Sequence, residues 1–188
     1  MAKNIFKKHL TCFIKNKKGK VVINRVSDLY YICDGFTMLR VPVDVYNSCI
    51  RTESPIFCPL ENEQHATREA REPLATVSPY KSTAMADIFN RTQATQPAAL
   101  LHWVYDDPAH YKHPLRAVQV AGKVISFDSR YTDAISEYAA LDALGASADR
   151  HPVIKWADTD SGLGCLVMPV NSDHFRSALA DLVEVVKP

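Results

Sequence analysis

Residues 27–46 read "SDLYYICDGFTMLRVPVDVY", and residues 151–170 read "HPVIKWADTDSGLGCLVMPV". In the first, two apolar runs flank Asp34-Gly35, a pair suited to a tight hairpin because glycine enters the left-handed region without steric penalty. The second places "DTDSG" between "PVIKWAD" and "GLGCLVMPV" in the same way. Val41-Pro42-Val43 closes one construction and Met168-Pro169-Val170 the other, each followed by an acidic residue and then an aromatic, Asp44 with Tyr46 and Asp173 with Phe175. A small antiparallel sheet written twice in one chain predicts an α+β fold, a pseudo-duplicated helix-plus-antiparallel-sheet domain in which the two sheets join edge to edge or pack together and both helices cover one face, since a half-unit cannot bury its own apolar face.

The flanking segments supply the helices of that scheme. "KNIFKKHLTCFI" (3–14) spaces Ile5, Phe6, Leu10 and Phe13 or Ile14 at helical period, with Lys3, Lys7 and Lys8 on the other side. "KNKKGK" (15–20) turns at Gly19, and "VVINRV", "LYYICD" and "FTMLRVPV" follow as strands rich in β-branched and aromatic residues. "LLHWVYDDPAHYKHP" reads as a strand and then a loop, and "LRAVQVAGKVISF" as a strand or a hairpin turning at Gly122. Asp128 or Ser129 can cap a helix over 129–144 with Tyr131, Ile135, Tyr138 and Leu141 or Leu144 inward. Ser172 or Asp173 can cap a last helix with Phe175, Leu179, Leu182 and Val183 inward.

The expected organisation is one domain, with a first half at 1–52, an irregular insertion at 53–97, a second half at 98–171 and a C-terminal helix at 172–186. Prolines at 55, 59, 73, 79 and 97 punctuate the insertion, and its stretch "ENEQHATREAREP" is charged with almost no apolar stripe; partial order at best is expected, with an exposed helix around 61–71 and another short one near 84–90.

With 188 residues and 47% hydrophobic content, the chain is long enough for one core without disulfides or metals. Its five cysteines are odd in number and form no C-x-x-C pair, which argues against a disulfide framework and a zinc site and for reduced, buried thiols. No stretch approaches the roughly 20 apolar residues of a membrane span, and the N-terminus has no secretory apolar region, so a cytoplasmic location without membrane association is expected. The formal charge of +1 excludes a generally basic nucleic-acid coat. That charge is unevenly spread: residues 1–40 hold nine Lys or Arg against two Asp, a net of +7, and the rest holds thirteen against nineteen, a net of −6.

The two constructions together resemble the DNA sliding clamp superfamily, the bacterial DNA polymerase III beta subunit in particular. The resemblance rests on "YYICDGFTMLRVP" in the first half and on "VQVAGKVISFDSRYTDAISEY" with "PVIKWADTDSGLGCLVMPV" in the second. It implies a DNA-clamp-like fold and a non-enzymatic role in DNA replication or processing. It also implies double-stranded DNA, replication or mobile-element proteins and further copies of the chain as partners. A bacterial clamp chain carries three such domains, whereas this chain has room for one.

Lys3, Lys7, Lys8, Lys15, Lys17, Lys18 and Lys20 form the candidate nucleic-acid-binding face, since lysines beside phosphates release counterions without reading sequence. The competing interpretation is a solvated face that only aids solubility. An alternative function on the same fold is a protein-interaction module without DNA binding, docking its partner through the Pro-rich middle segment or a sheet edge.

No catalytic residue, metal or cofactor is expected. His102, His110 and His113 with Asp106 and Asp107 offer metal-ligand types, but at a spacing that fits no helix face and no finger. "DTDSGLG" begins like a calcium loop at Asp158 and Asp160, yet it lacks the later ligands and reads as a hairpin turn. Gly162-Leu163-Gly164 lacks the third glycine and the following helix of a dinucleotide loop. Cys165 or Ser161 with His151 or His174 could pair as nucleophile and base, but no nucleophile elbow supports them.

Overall fold

The computed structural model describes residues 19–53, 59–70, 72–136, 145–148, 152–158 and 160–185. The expected helix at 3–14 and the later part of the one at 129–144 lie outside them.

Three strands open the described chain as a meander: β1 (Val21–Val26), β2 (Leu29–Cys33) and β3 (Thr37–Pro42). The β2–β3 turn is the Asp34-Gly35 turn expected from the sequence. Gly35 takes φ 90, and Asp34 Oδ1 accepts the amides of Phe36 and Thr37, each at 3.0 Å, so the turn is held by its own side chain. Pro42 has no amide to extend the ladder, and helix α1 (Val43–Glu53) starts directly after it with Asp44 in the first turn, where a carboxylate suits the positive helix end. Tyr46 of α1 is fully buried and stacks on Tyr30 of β2, ring centroids 3.7 Å apart. Tyr30 in turn receives the Leu60 amide on its hydroxyl at 2.8 Å.

The segment at 53–97 is not an irregular insertion. Residues 64–68, where an exposed helix was expected, form β4 (Gln64–Arg68), which pairs antiparallel with β1. β5 (Thr76–Lys81) pairs with β4 across an irregular register, and α2 (Ala84–Arg91) follows. Met85, Ala86 and Phe89 of α2 are buried against Tyr31, Met38 and Leu166. The segment is therefore both a sheet edge and the cover of one sheet face.

β6 (Gln96–Tyr105) leads through a loop to the hairpin of β7 (Leu115–Val120) and β8 (Lys123–Asp128). Ala121 at φ 46 and Gly122 at φ 80 make its two-residue turn, which suits the right-handed twist of the flanking strands. α3 (Ser129–Ser136) is capped by Asp128, whose Oδ1 accepts the Arg130 amide at 3.0 Å. β9 (Gly145–Ala146), β10 (Ile154–Ala157) and β11 (Gly164–Val167) complete the sheet. α4 (Asp173–Val185) is capped by Ser172, whose hydroxyl accepts the Phe175 amide at 2.9 Å.

The eleven strands of the described residues form one antiparallel sheet in the order β5-β4-β1-β2-β3-β11-β10-β9-β6-β7-β8. The two quoted hairpins stand side by side at its centre, because β3 pairs with β11 from Thr37 opposite Val167 to Arg40 opposite Gly164. Alternate side chains face two cores. On one face Ile23, Tyr30, Ile32, Leu39, Val41, Ile154, Trp156, Cys165 and Val167 pack with Tyr46 of α1 and Tyr131 of α3. On the other, α2 covers the centre, and further along Phe175 of α4 covers Leu115 and Ala117 with Trp103 and Tyr105 beside it. α1 and α4 therefore pack in different clusters although each follows one of the hairpins.

Tyr131 ties α3 to the first hairpin. Its hydroxyl donates to Asp34 Oδ2 at 2.6 Å in a buried site, and burial first, then that bond, pushes its pKa far above the usual value, so it stays a donor. Tyr131→Phe is expected to lower stability by about 1.5–3 kcal/mol, the range for a bond to a charged group, measured by urea unfolding. Gly164→Ala places a methyl 2.8 Å from Phe89 Cζ and 3.0 Å from the Trp156 carbonyl oxygen. That overpacking is expected to cost about 1–3 kcal/mol in the same assay, and no change for either variant would contradict the packing described.

Candidate functional site

Of the seven lysines expected to form a basic face, Lys3, Lys7, Lys8, Lys15, Lys17 and Lys18 lie outside the described residues. Lys20 precedes β1, and its Nζ meets Glu69 Oε1 at 2.9 Å, with both side chains more than half exposed. An exposed pair of this kind contributes little to stability and leaves the ammonium reachable from solvent.

Several other cations are turned to structural tasks. Arg40 on β3 donates from Nε to the Gly162 carbonyl at 3.0 Å and from Nη2 to the Leu163 carbonyl at 3.3 Å, holding the residues that lead into β11. Lys155 on β10 donates to the carbonyls of Phe89 and Thr92 at 2.7 and 2.8 Å, the C-terminal end of α2, where a cation suits the helix dipole. Both cations also lie within 5 Å of the Phe89 ring centroid, Arg40 at 4.8 Å and Lys155 at 4.6 Å. Burial first, and Arg40 second, lowers the Lys155 pKa. Arg116 pairs with Asp133, Arg130 with Asp128 and Arg176 with Asp173.

The suspected nucleophiles are poorly placed for that chemistry. Cys165 projects into the core, and burial pushes its thiol up to about 12. Ser161 donates its hydroxyl to Asp158 Oδ2 inside the hairpin turn, which, ahead of the other influences there, lowers the Asp158 pKa. Asp158 also accepts the Asp160 amide at 3.1 Å, and its own amide reaches the Leu163 carbonyl at 2.9 Å. Asp158, Asp160 and Ser161 thus belong to a hairpin turn held by its own side chains.

Folding changes the histidine picture. His102 is exposed on β6, and His113 lies in the loop before β7 with a pKa lowered by burial and by Arg130. Asp107 and His110 come together in the β6–β7 loop, and His174, the second residue of α4, joins them. Its ring stacks on that of His110 with centroids 3.8 Å apart and planes at 27°. Spacing could not show this, because the loop and α4 meet only through tertiary packing. A cleft of about 600 Å³ lies nearby between β8 and the linker into α4, lined among others by Val124, Ser126, Met168, Val170 and Arg176. No described helix is long and apolar enough to cross a membrane.

No family model and no curated protein sequence matches the chain. Among solved structures it is similar to that of the DNA polymerase III beta chain from Streptococcus pneumoniae, at 10% identity and a TM-score of 0.32 over 91% of this chain. The match covers 64% of that protein, so this chain spans less than two thirds of its length.

The thiolate is the reactive form of cysteine, so alkylation of Cys165 in the native protein at pH 8 is expected to be on the order of a thousandfold slower than in urea. Peptide mass spectrometry after iodoacetamide treatment reads this directly, and equal labelling in both states would place Cys165 outside the core.

Proposed function

We propose that this protein is a non-enzymatic, clamp-like partner of DNA that holds duplex without reading its sequence, through the basic segment from Lys3 to Lys20. The observation that carries the reading is the central sheet. The hairpins at 27–46 and 151–170 are neighbours through β3 and β11, and α3 of the second half places Tyr131 on the turn of the first. Two hairpins side by side in one sheet fit the resemblance to the sliding clamps, and the +7 charge of residues 1–40 supplies the anion-seeking end. Replication or mobile-element proteins are the further partners of this reading, and a cytoplasmic location goes with it. Among the described residues, strands β5 and β8 bound the sheet, each pairing on one side, which leaves backbone groups through which copies could associate.

One observation favours the alternative of a protein-interaction module without DNA binding. β5 is exposed along almost its whole length, and Leu74, Val77 and Tyr80 beside and within it are apolar and open to solvent, Tyr80 at 76%.

Duplex titration separates the two. The first reading expects binding of unrelated sequences with similar affinity, falling as salt rises with a log–log slope of roughly −0.9 per phosphate neutralised. Reversing Lys15, Lys17, Lys18 and Lys20 together to Glu is expected to weaken binding at least about tenfold at 100 mM salt and to flatten that slope. A flat titration at 50 mM salt removes the DNA reading and leaves the interaction module. Light scattering with and without duplex reads the assembly state.

A further inference from the structure

The β6–β7 loop folds back on itself at Asp107, whose carbonyl accepts the amides of His110 at 3.1 Å and Tyr111 at 2.9 Å. That turn brings His110 Nδ1 to 2.8 Å from Asp107 Oδ2, which also accepts the Tyr105 hydroxyl at 3.0 Å. Tyr111 donates its hydroxyl to Ser172 at 2.6 Å, pinning the loop to the start of α4. Ser172 is held in turn by capping the helix, so His174 has a defined position over the loop, stacked on His110.

One ligand atom each from Asp107, His110 and His174 lies within 4.8 Å of the others. Around a zinc ion with bonds near 2.0–2.1 Å, tetrahedral donor atoms stand about 3.3 Å apart. The Asp107–His110 contact opens by about half an ångström to admit an ion in place of its shared proton, while His174 closes by about 1.5 Å at most. Both imidazoles are at the surface, His110 with about half of its side chain exposed, so rotation about their side-chain bonds meets no packed core. Besides His110, the Tyr105 hydroxyl and the Ala109 amide hydrogen-bond the Asp107 carboxylate. Tyr105 is the outer partner that orients this carboxylate, a role commonly found behind metal ligands.

We propose that Asp107, His110 and His174 form a site for a borderline divalent transition metal, of the zinc or nickel class, that clips the β6–β7 loop to α4. Two imidazoles and one carboxylate select such an ion over magnesium or calcium, which favour all-oxygen shells. Three protein ligands leave the remaining positions to water, so the site is open on its solvent side. This proposal does not depend on DNA binding.

The test is calorimetric titration of Zn²⁺ alone into the full chain under reducing conditions. The expected result is one equivalent bound through the histidines, together with a rise in the unfolding midpoint on zinc addition. His174→Gln is expected to lose that equivalent and the midpoint shift, while His102→Gln keeps both, which separates this site from the cysteines and from exposed histidines generally. If His174→Gln does not fold, His110→Gln gives the same comparison. Absence of zinc binding by the unaltered chain, or full retention of it when both His110 and His174 are replaced by Gln, overturns the proposal.

Discussion

The pairing of β3 with β11 is the constraint on which the rest of the molecule depends. It joins strands far apart in the chain, and each brings its own hairpin partner, so a single ladder of four residue pairs unites the two halves of an eleven-stranded sheet. Both faces of this ladder are buried. Leu39, Val41, Cys165 and Val167 enter one core, and Met38 and Leu166 enter the other. A slip of one residue would send each set to the wrong side, so the register is strongly specified. Thr37 adds a side-chain bond to the Leu166 carbonyl at 2.8 Å, and the Met168 amide reaches the Phe36 carbonyl at the same distance.

That register also dictates what α2 can do. Gly164 opposite Arg40 leaves the space that the Phe89 ring occupies, and any larger residue there meets the ring and the Trp156 carbonyl. Once Phe89 is seated, Arg40 and Lys155 gather around it, and Lys155 closes the carbonyl end of the helix. These cations answer backbone carbonyls and an aromatic ring in a partly desolvated region, where such contacts are stronger than in water. Positive charge at the centre of the sheet is therefore structural. In the sequence, lysines are densest over residues 3–20, of which Lys20 lies just before β1.

At the opposite end the organisation is looser in sequence and equally specific in space. The β6–β7 loop carries polar and titratable residues over the first turn of α4, with Ser172 serving both the helix as its cap and Tyr111 as its acceptor. Phe175 beneath them anchors α4 among Trp103 and Tyr105. An apolar anchor below a surface cluster of imidazole and carboxylate groups gives that cluster a defined geometry without requiring its members to be buried.

Strong local signals were enough for the hairpins. Asp34-Gly35 and Ala121-Gly122 combine turn chemistry with apolar flanks, and Asp128 and Ser172 mark helix starts, so β2–β3, β7–β8, β10–β11, α3 and α4 were legible in the residues themselves. β4 and β5 were not: β5, at the sheet edge, buries few side chains and carries a proline and charges that resemble a loop, and β4 beside it is five mostly polar residues of which Ala66 and Arg68 are buried. α1 was hidden by its polar composition and by Pro42, whose value as a helix start depends on where β3 ends. The candidate site divides in the same way. A basic N-terminal segment is a property of composition, but the meeting of Asp107, His110 and His174 arises from a loop and a helix brought together by packing, and no local pattern records a contact made only when the chain closes on itself.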